Sequence, residues 1–204
     1  MRVHLIRHGE VENPEGIRYG RLPSFRLSER GREEMQSAAK ALAEAFLSGR
    51  ALSGLVVSPL ERAQESAEIL NRIVGGPEPH VDPRLIEALE WRQGLPRTFA
   101  LEPTLARVFR MRSWPETELP WTIASRVHEA VRDLVRQYGE TDGDVALVTH
   151  QTPIRLGRLA FEREVTTKAT WAYWKYPCAT ASITTFVFEG DRFVRAEYRA
   201  PSAR

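Results

Sequence analysis

The segment MRVHLIRHGE (residues 1–10) decides the fold and raises the first functional question. A short, mostly apolar run from Val3 stops abruptly at Arg7, His8, Gly9 and Glu10. A strand has to end somewhere, and glycine is common at turns. The alternative is chemical, because a cation and an imidazole held at the end of a buried strand could bind and attack an anion. The remaining sequence is needed to choose between the two.

The composition is that of one globular domain with neither a membrane nor a nucleic-acid partner. The chain of 204 residues suffices for a single core. No apolar run approaches the roughly 18 residues that cross a bilayer, and a formal net charge of +2 is too small for a basic nucleic-acid-binding face. The first residues lack a secretion signal, and the lone Cys178 cannot form an internal disulfide. We therefore expect a cytoplasmic protein in which Cys178 is a small buried apolar residue, not a nucleophile.

Strands and helices alternate along most of the chain. Near-continuous Val, Leu and Ile is typical of parallel strands that are covered on both faces. Three segments show it: VHLIR from Val3, LSGLVVS from Leu52 and DVALVTH from Asp144. Apolar periodicity and capping residues predict helices over about 28–48, from the N-cap Ser58 to 74, over about 122–138 and from Thr152-Pro153 onward.

The C-terminal part of the chain has a different pattern. The segment ASITTFVFEGDRFVRAEYR (181–199) alternates and turns at 189–191, which predicts an antiparallel hairpin at one edge of the sheet. Together these features predict an α/β fold, a three-layer α/β/α sandwich with a mostly parallel central sheet and helices on both faces. We expect a single domain over 1–204, with an irregular insertion at about 91–121 lying over the sheet as a cap region. An edge hairpin could pair across a two-fold axis, so a homodimer stays open.

The polar residues at the predicted strand ends point to an anion site. Ligands of open α/β sheets bind beyond the carboxyl ends of the strands. The first strand delivers Arg7 and His8, the second delivers Ser58 with Arg62 just behind it, and the third delivers His150. Helices begin beside two of these ends, and their N-termini favour anions. One guanidinium group can donate two parallel hydrogen bonds to the oxygens of a phosphate, which explains why arginine stands at positions 7 and 62.

Four motifs in this order resemble a known family. LIRHGE, SPLERAQESAEIL, RLIE and LVTH are similar to the motifs of the histidine phosphatase superfamily, which includes the cofactor-dependent phosphoglycerate mutases. The resemblance covers roughly residues 3–185. It implies a hydrolase of the histidine acid phosphatase type, a metal-independent phosphomonoesterase that acts on a small phosphorylated metabolite. It implies no cofactor, and specificity would lie in the insertion at about 91–121, over the active site.

The resemblance also implies a role for each matching residue. His8 matches the nucleophile that becomes phosphorylated, while Arg7, Arg62 and His150 match the groups that hold the phosphoryl oxygens. Glu87, in RLIEALEW, matches the general acid of the phosphatase branch. Glu90 is its rival, because it follows three residues later. A neutral imidazole is a competent nucleophile toward phosphorus, and fixed cations can stabilise the transition state without a metal ion.

The chain departs from the family pattern near both histidines. The family usually has Ser or Thr three residues after the first histidine and Asn at six, whereas this chain has Val11 and Asn13 at three and five. Two glycines commonly follow the second histidine, whereas Gln151 and Thr152 stand here. We expect Asn13 and the backbone N–H of Gln151 to be further phosphate contacts, and the side chain of Gln151 to narrow the pocket.

Two other functions stay open. A phosphoglycerate mutase-type phosphoryl transfer is the first, although the short chain and RLIEALEW favour the phosphatase branch. A phospho-ligand binding module without turnover is the second, and its support is the substitutions at Val11 and Gln151. Following phosphoglycerate isomers and free phosphate separates the first from a phosphatase.

The remaining polar and aromatic residues have structural explanations beside functional ones. We expect His4 and His128 to be structural and His80 to lie in a loop, and no set of residues has the spacing of metal ligands. Two groups of residues have two possible explanations each. The aromatic group either forms an edge strand or lines a wall for the organic part of a substrate; it consists of Trp171, Tyr173, Trp174 and Tyr176. The arginine group either forms a solvated face or binds a second anionic group; it consists of Arg97, Arg107, Arg110 and Arg112.

Overall fold

A computed structural model describes residues 1–46, 49–90, 92–96, 117–141, 143–163 and 173–200. Its described part contains one six-stranded sheet in the order β3-β2-β4-β1-β5-β6. The neighbours β3, β2, β4 and β1 are parallel, and β5 and β6 complete the sheet as an antiparallel hairpin. The predicted mostly parallel sheet with an edge hairpin is confirmed. The strands are β1 (Arg2–Arg7), β2 (Leu52–Val57), β3 (His80–Val81), β4 (Asp144–Thr149), β5 (Ile183–Glu189) and β6 (Arg192–Arg199).

Helices cover both faces of this sheet, as the sequence predicts. Alternate residues of a strand point to opposite faces, so Ile6 packs in the core under α1 and α2, and Leu5 packs in the core under α3 and α4. Ala146 and Leu147 of β4 divide in the same way. The helices are α1 (Glu29–Phe46), α2 (Glu61–Val74), α3 (Pro120–Tyr138) and α4 (Gln151–Glu162).

Several element boundaries differ from the predicted ones. The second helix begins at Glu61, because the hydroxyl of Ser58 bonds to His150 instead of capping a helix. The third begins two residues early, at Pro120, and the fourth begins directly after His150. His80 lies in the short strand β3 and not in a loop, since it pairs with Val56. Residues Tyr173–Lys175 form a 3₁₀ turn, so the edge-strand interpretation of the aromatic segment is wrong there.

A close contact between two glycines fixes the end of β1 against α1. A Cβ atom on Gly9 would lie 2.2 Å from the carbonyl oxygen of Gly31. That helix is capped by Ser28, whose Oγ accepts the N–H of Gly31 at 3.0 Å. Gly9 is therefore required by the approach of another backbone, and any larger residue would push the strand end away from the helix.

Part of the predicted insertion lies outside the described residues. Residues 91 and 97–116 are not described, so the interpretations of Arg97, Arg107, Arg110 and Arg112 concern residues outside the described part, as does that of Trp171. The insertion stays a prediction, although both of its described ends line the cavity at the carboxyl ends of the strands. No helix within the described ranges is long and apolar enough to span a bilayer.

Candidate active site

A cavity of about 540 Å³ lies at the carboxyl ends of β1 and β4. Its walls include four residues that the sequence predicted for the site: Arg7, His8, Glu87 and Gln151. Glu90, the rival of Glu87, also lines it. The other three predicted residues do not line the cavity: Arg62 and His150 adjoin His8, and Asn13 lies elsewhere.

His8 is buried and its ring is held in one tautomer. Its Nδ1–H donates to the carbonyl oxygen of Gly9 at 2.7 Å, so Nε2 carries the lone pair. The Nε–H of Arg62 donates to that Nε2 over 3.4 Å. Burial lowers the pKa of His8 well below its ordinary value, and the charges of Arg62 and Arg7 lower it further. The ring is therefore neutral, with its nucleophilic nitrogen beside a guanidinium.

Arg62 is buried at the start of α2 and is fixed on two sides. Its Nη2 donates to the carbonyl oxygen of Gly20 at 2.6 Å, and its guanidinium carbon lies 4.8 Å from the ring centre of Tyr19. Tyr19 in turn stacks on Phe25. The sequence analysis missed Tyr19, because no motif marks an aromatic residue 43 positions before the arginine that it supports.

His150 stands beside His8, with the two ring centres 5.1 Å apart. Its Nε2 lies 2.7 Å from the hydroxyl of Ser58, which also accepts the N–H of Leu60 at 3.4 Å. The hydroxyl proton is then available for Nε2, which leaves the ring proton on Nδ1. Burial, followed by the charge of Arg62, lowers the pKa of His150 well below its ordinary value, so this ring is also neutral.

Two buried donors next to His8 have no hydrogen-bond partner among the described residues. They are Nε of Arg7 and Nδ1 of His150. The strands that carry them are neighbours, because Arg7 pairs with Thr149 and the N–H of His8 donates to the carbonyl oxygen of Thr149 at 3.0 Å. Buried polar groups are almost always hydrogen-bonded, so this pair of unsatisfied donors indicates a site for an acceptor that brings its own oxygens.

Arg7 and Gln151 share one backbone acceptor. Nη1 of Arg7 donates to the carbonyl oxygen of Cys178 at 2.7 Å, and Nε2 of Gln151 donates to the same oxygen at 3.3 Å. Gln151 is also the first residue of α4, where backbone N–H groups have no partner within the helix. Cys178 itself is buried, as the sequence predicts for a small apolar residue.

Glu87 is the better placed of the two candidate acids. Its Oε1 accepts the N–H of Ala88 at 2.8 Å, and burial raises the pKa of its carboxyl. Glu90 instead pairs with Arg92, whose Nη2 lies 3.1 Å from Oε2. A carboxyl whose pKa is raised can carry a proton to a leaving group, whereas the carboxylate of Glu90 is already engaged in an ion pair.

Asn13 is not brought to the cavity. Its side chain closes a local turn, in which Nδ2 donates to the carbonyl oxygen of Ile17 at 2.9 Å and Oδ1 accepts the N–H of Ile17 at 3.1 Å. Val11 is buried and pairs with Leu27, so its side chain serves packing. The expectation that Asn13 contacts phosphate is therefore not supported by its position.

A network that the sequence analysis missed holds the backbone of Glu87. Nε of Arg21 donates to the carbonyl oxygen of Glu87 at 2.6 Å, and its Nη2 donates to Glu118 at 2.6 Å. Glu118 also accepts from Arg126 of α3 at 2.7 Å. No spacing rule links these residues, since they lie in three separate parts of the chain.

The remaining histidines lie away from the cavity. His4 bonds to Thr185 at 2.9 Å, and His128 packs on Phe161 with the ring centres 4.5 Å apart. His80 is exposed on β3. Within the described ranges, no three His, Cys, Asp or Glu side chains come together as metal ligands would. The predicted independence of metal ions stays a prediction.

Comparisons with known proteins agree with this geometry. The family model described as histidine phosphatase superfamily (branch 1) matches residues 3–200. Rv0525 of Mycobacterium tuberculosis (strain ATCC 25618 / H37Rv), described as uncharacterized, is 36% identical over 212 residues, which cover 98% of this chain and 96% of the relative. The structure of mycobacterial glucosyl-3-phosphoglycerate phosphatase Rv2419c with VO3 is 26% identical, with a TM-score of 0.75 over 98% of this chain and 99% of that one. Alpha-ribazole phosphatase from Shigella flexneri, 22% identical, shares the fold with a TM-score of 0.71 over 98% of this chain and 96% of that one.

Proposed function

The chain belongs to the histidine phosphatase superfamily, and from this premise we propose that it is a phosphomonoesterase that hydrolyses a small phosphorylated metabolite through a phosphohistidine at His8. The observation that carries the proposal is the buried neutral ring of His8, whose Nδ1–H is held by the carbonyl oxygen of Gly9. Its Nε2 adjoins Arg62, and two unsatisfied donors lie next to it. The finer assignment to the histidine acid phosphatase type stays a prediction, because the family match supports the superfamily and not that type.

In the first step, Nε2 of His8 attacks the phosphorus atom of the bound ester. The new bond joins nitrogen to phosphorus, and the bond between phosphorus and the ester oxygen breaks. Glu87 gives its proton to the departing alkoxide, so an alcohol leaves and a carboxylate remains. The ordinary preference of a carboxyl for ionisation opposes this role, and the burial that raises the pKa of Glu87 supports it.

In the second step, water replaces the histidine. The carboxylate of Glu87 accepts a proton from water while the water oxygen attacks phosphorus. The phosphorus–nitrogen bond breaks, inorganic phosphate leaves, and His8 returns to its neutral tautomer. One carboxyl thus serves as acid in the first step and as base in the second.

Phosphoryl oxygens would occupy the position between the two strand ends. Nε of Arg7 and Nδ1 of His150 are the donors proposed to meet them, together with the guanidinium of Arg62. The backbone N–H of Gln151 at the start of α4 is a further donor. Such donors are already in place before the charge develops, so they stabilise the transition state with little reorganisation.

The metal independence and the location of the enzyme belong to the same proposal. Two arginines beside His8 supply the positive charge that a divalent cation supplies in other phosphoryl-transfer sites, so no metal ion is needed. We propose a cytoplasmic location, because a single cysteine suits a reducing compartment. The proposed partner is the small phosphate ester itself.

Release of p-nitrophenol from p-nitrophenyl phosphate tests the function. We expect turnover that survives EDTA and is inhibited by vanadate, and a labelled phosphoenzyme that is stable in alkali and labile in acid, as a phosphorus–nitrogen bond is. The variant His8→Ala should lose both signals, and His80→Ala, which removes an exposed histidine of β3, should keep them.

Three results would overturn parts of the proposal. Absence of vanadate-sensitive release, both with and without added divalent cations, favours a binding module without turnover. Loss of activity with EDTA that returns with a divalent cation contradicts metal independence. Exchange of phosphoglycerate isomers without release of phosphate assigns the chain to the mutases.

A further inference from the structure

The outer part of the cavity carries a wall of two aromatic side chains. Tyr173 and Trp174 both line it, with ring centres 4.3 Å apart and ring planes inclined by 32°. Trp174 is 58% exposed, although a buried indole would stabilise the fold. Three large apolar residues of the described part are strongly exposed, namely Val81, Trp121 and Trp174, and Trp174 is the one among them that lines the cavity.

This wall is held firmly against α4. Tyr173 packs on the apolar cluster that contains Leu156 and Leu159. Nε of Arg155 donates to the carbonyl oxygen of Tyr176 at 2.8 Å, and its guanidinium carbon lies 5.7 Å from the ring centre of Trp174. A supported aromatic surface loses little conformational entropy when a ligand stacks on it, so less of the stacking free energy is lost on binding.

The charges around the cavity do not favour a second anionic group. Among the described lining residues, three arginines stand against three glutamates, and Glu87 carries a proton in the proposed function, so one positive charge is in excess. Of the other two glutamates, Glu90 pairs with Arg92, and Glu118 pairs with Arg21, which does not itself line the cavity. The excess corresponds to Arg7, which is proposed to bind the phosphate, so the rest of the described lining carries no net charge and suits an uncharged group.

From these observations we infer that the substrate is a phosphomonoester whose alcohol carries an uncharged aromatic or heteroaromatic ring, which stacks on Trp174. The inference rests on the proposed function, because it places the ester at His8 and the ring at the far wall of the same cavity. A volume of about 540 Å³ is several times that of a phosphate group, which leaves room for such a ring.

Matched pairs of substrates isolate the contribution of the ring. Adenosine 5′-phosphate against ribose 5-phosphate, and 2-phenylethyl phosphate against ethyl phosphate, differ in the ring while the reacting group stays an alkyl ester. Stacking of a ring on an aromatic side chain raises affinity by roughly 5- to 100-fold. We expect kcat/KM of the wild type to favour the ring-bearing member by about tenfold or more in at least one pair.

The variant Trp174→Ala should reduce that ratio to near one, whereas Trp174→Phe should retain part of it. Trp121→Ala is the matched control, because Trp121 is 47% exposed but does not line the cavity, and it should leave the ratio unchanged. Both members of a pair are assayed on one preparation, so partial unfolding cancels from the ratio. Should Trp174→Ala yield no folded protein, Trp174→Leu replaces it.

The outcomes separate this inference from the proposed function. Turnover of neither member of either pair, nor of p-nitrophenyl phosphate, contradicts the function itself. Turnover without a ring preference in either pair, or a preference that Trp174→Ala leaves intact, overturns the inference while the function stands. A higher kcat/KM for ribose 1,5-bisphosphate than for both members of the nucleotide pair also overturns it, because the outer wall would then recognise charge.

Discussion

The replacement Glu87→Gln separates the acid step from the rest of the reaction. Glutamine keeps the shape of the side chain and an oxygen that can accept the N–H of Ala88, now bonded at 2.8 Å, so the fold should be retained. The amide cannot give a proton to a leaving group. General acid catalysis contributes about 10²- to 10⁴-fold to rate, which corresponds to about 2.7 to 5.4 kcal/mol of transition-state stabilisation.

Comparing an alkyl phosphate with p-nitrophenyl phosphate reveals the loss of the acid in E87Q. An alkyl alkoxide needs a proton in order to leave, whereas p-nitrophenolate is a stable anion and needs none. With an alkyl phosphate, E87Q should therefore lose about 10²- to 10⁴-fold in kcat/KM. With p-nitrophenyl phosphate it should form the phosphoenzyme readily and then stall, because Glu87 is also the base for the water that releases phosphate.

Rapid-quench measurement of p-nitrophenol checks this expectation. E87Q should show a burst of p-nitrophenol approaching one equivalent for each active site, followed by slow turnover, whereas an alkyl phosphate should release its alcohol without a burst. The control is Glu90→Gln, which removes the partner of Arg92 and should lose far less activity. If E90Q loses alkyl ester turnover and E87Q keeps it, the assignment of the acid is wrong.

Three further expectations follow from the same geometry. The pH profile of kcat/KM for an alkyl ester should have an acidic optimum. The reaction needs His8 neutral, which holds above its lowered pKa, and Glu87 protonated, which holds below its raised pKa. An optimum above neutrality contradicts this expectation. Ser58→Ala leaves Nε2 of His150 buried without its partner at 2.7 Å, so the free energy of unfolding measured by denaturant titration should fall by about 1–3 kcal/mol, and unchanged stability contradicts this hydrogen bond. Asn13→Ala should leave vanadate inhibition unchanged, because that side chain bonds to its own turn outside the cavity, and a clear loss of inhibition would restore it as a ligand.

The sheet was predictable because buried parallel strands leave a strong pattern in the sequence. Val3 and Leu5 pack on one face of β1 and Ile6 on the other, and β4 repeats the alternation. A strand that is apolar on both faces cannot lie at the surface, so its position in the middle of a three-layer fold follows from its composition. The polar residue after each such strand then lies at the carboxyl edge, which is why Arg7, His8 and His150 could be assigned to one site.

The sequence-based predictions that the structure does not support depend on contacts between distant or competing groups. Ser58 looks like a helix cap, yet its hydroxyl is taken by His150, 92 residues later. Asn13 has the right chemistry for phosphate, but the nearby backbone of Ile17 satisfies it locally. The strand β3 has two residues, which is too short for any periodicity to show. For Ser58 and Asn13 the amino acid type is compatible with two environments, and the tertiary structure selects one.

The segment Arg7-His8-Gly9 shows how a strand end fixes the side chain that we propose as the nucleophile. The backbone N–H of His8 donates to the carbonyl oxygen of Thr149 at 3.0 Å, and the carbonyl oxygen of His8 accepts the N–H of Ala181 at 3.2 Å. Backbone segments on both sides therefore fix the residue. The carbonyl oxygen of Gly9 then holds Nδ1 at 2.7 Å. That carbonyl keeps its position because Gly9 lies directly against Gly31, where a side chain has no room. The glycine after the histidine therefore acts through the backbone, since a shifted Gly9 carbonyl would release the ring and with it the tautomer in which Nε2 carries the lone pair that the proposed mechanism uses.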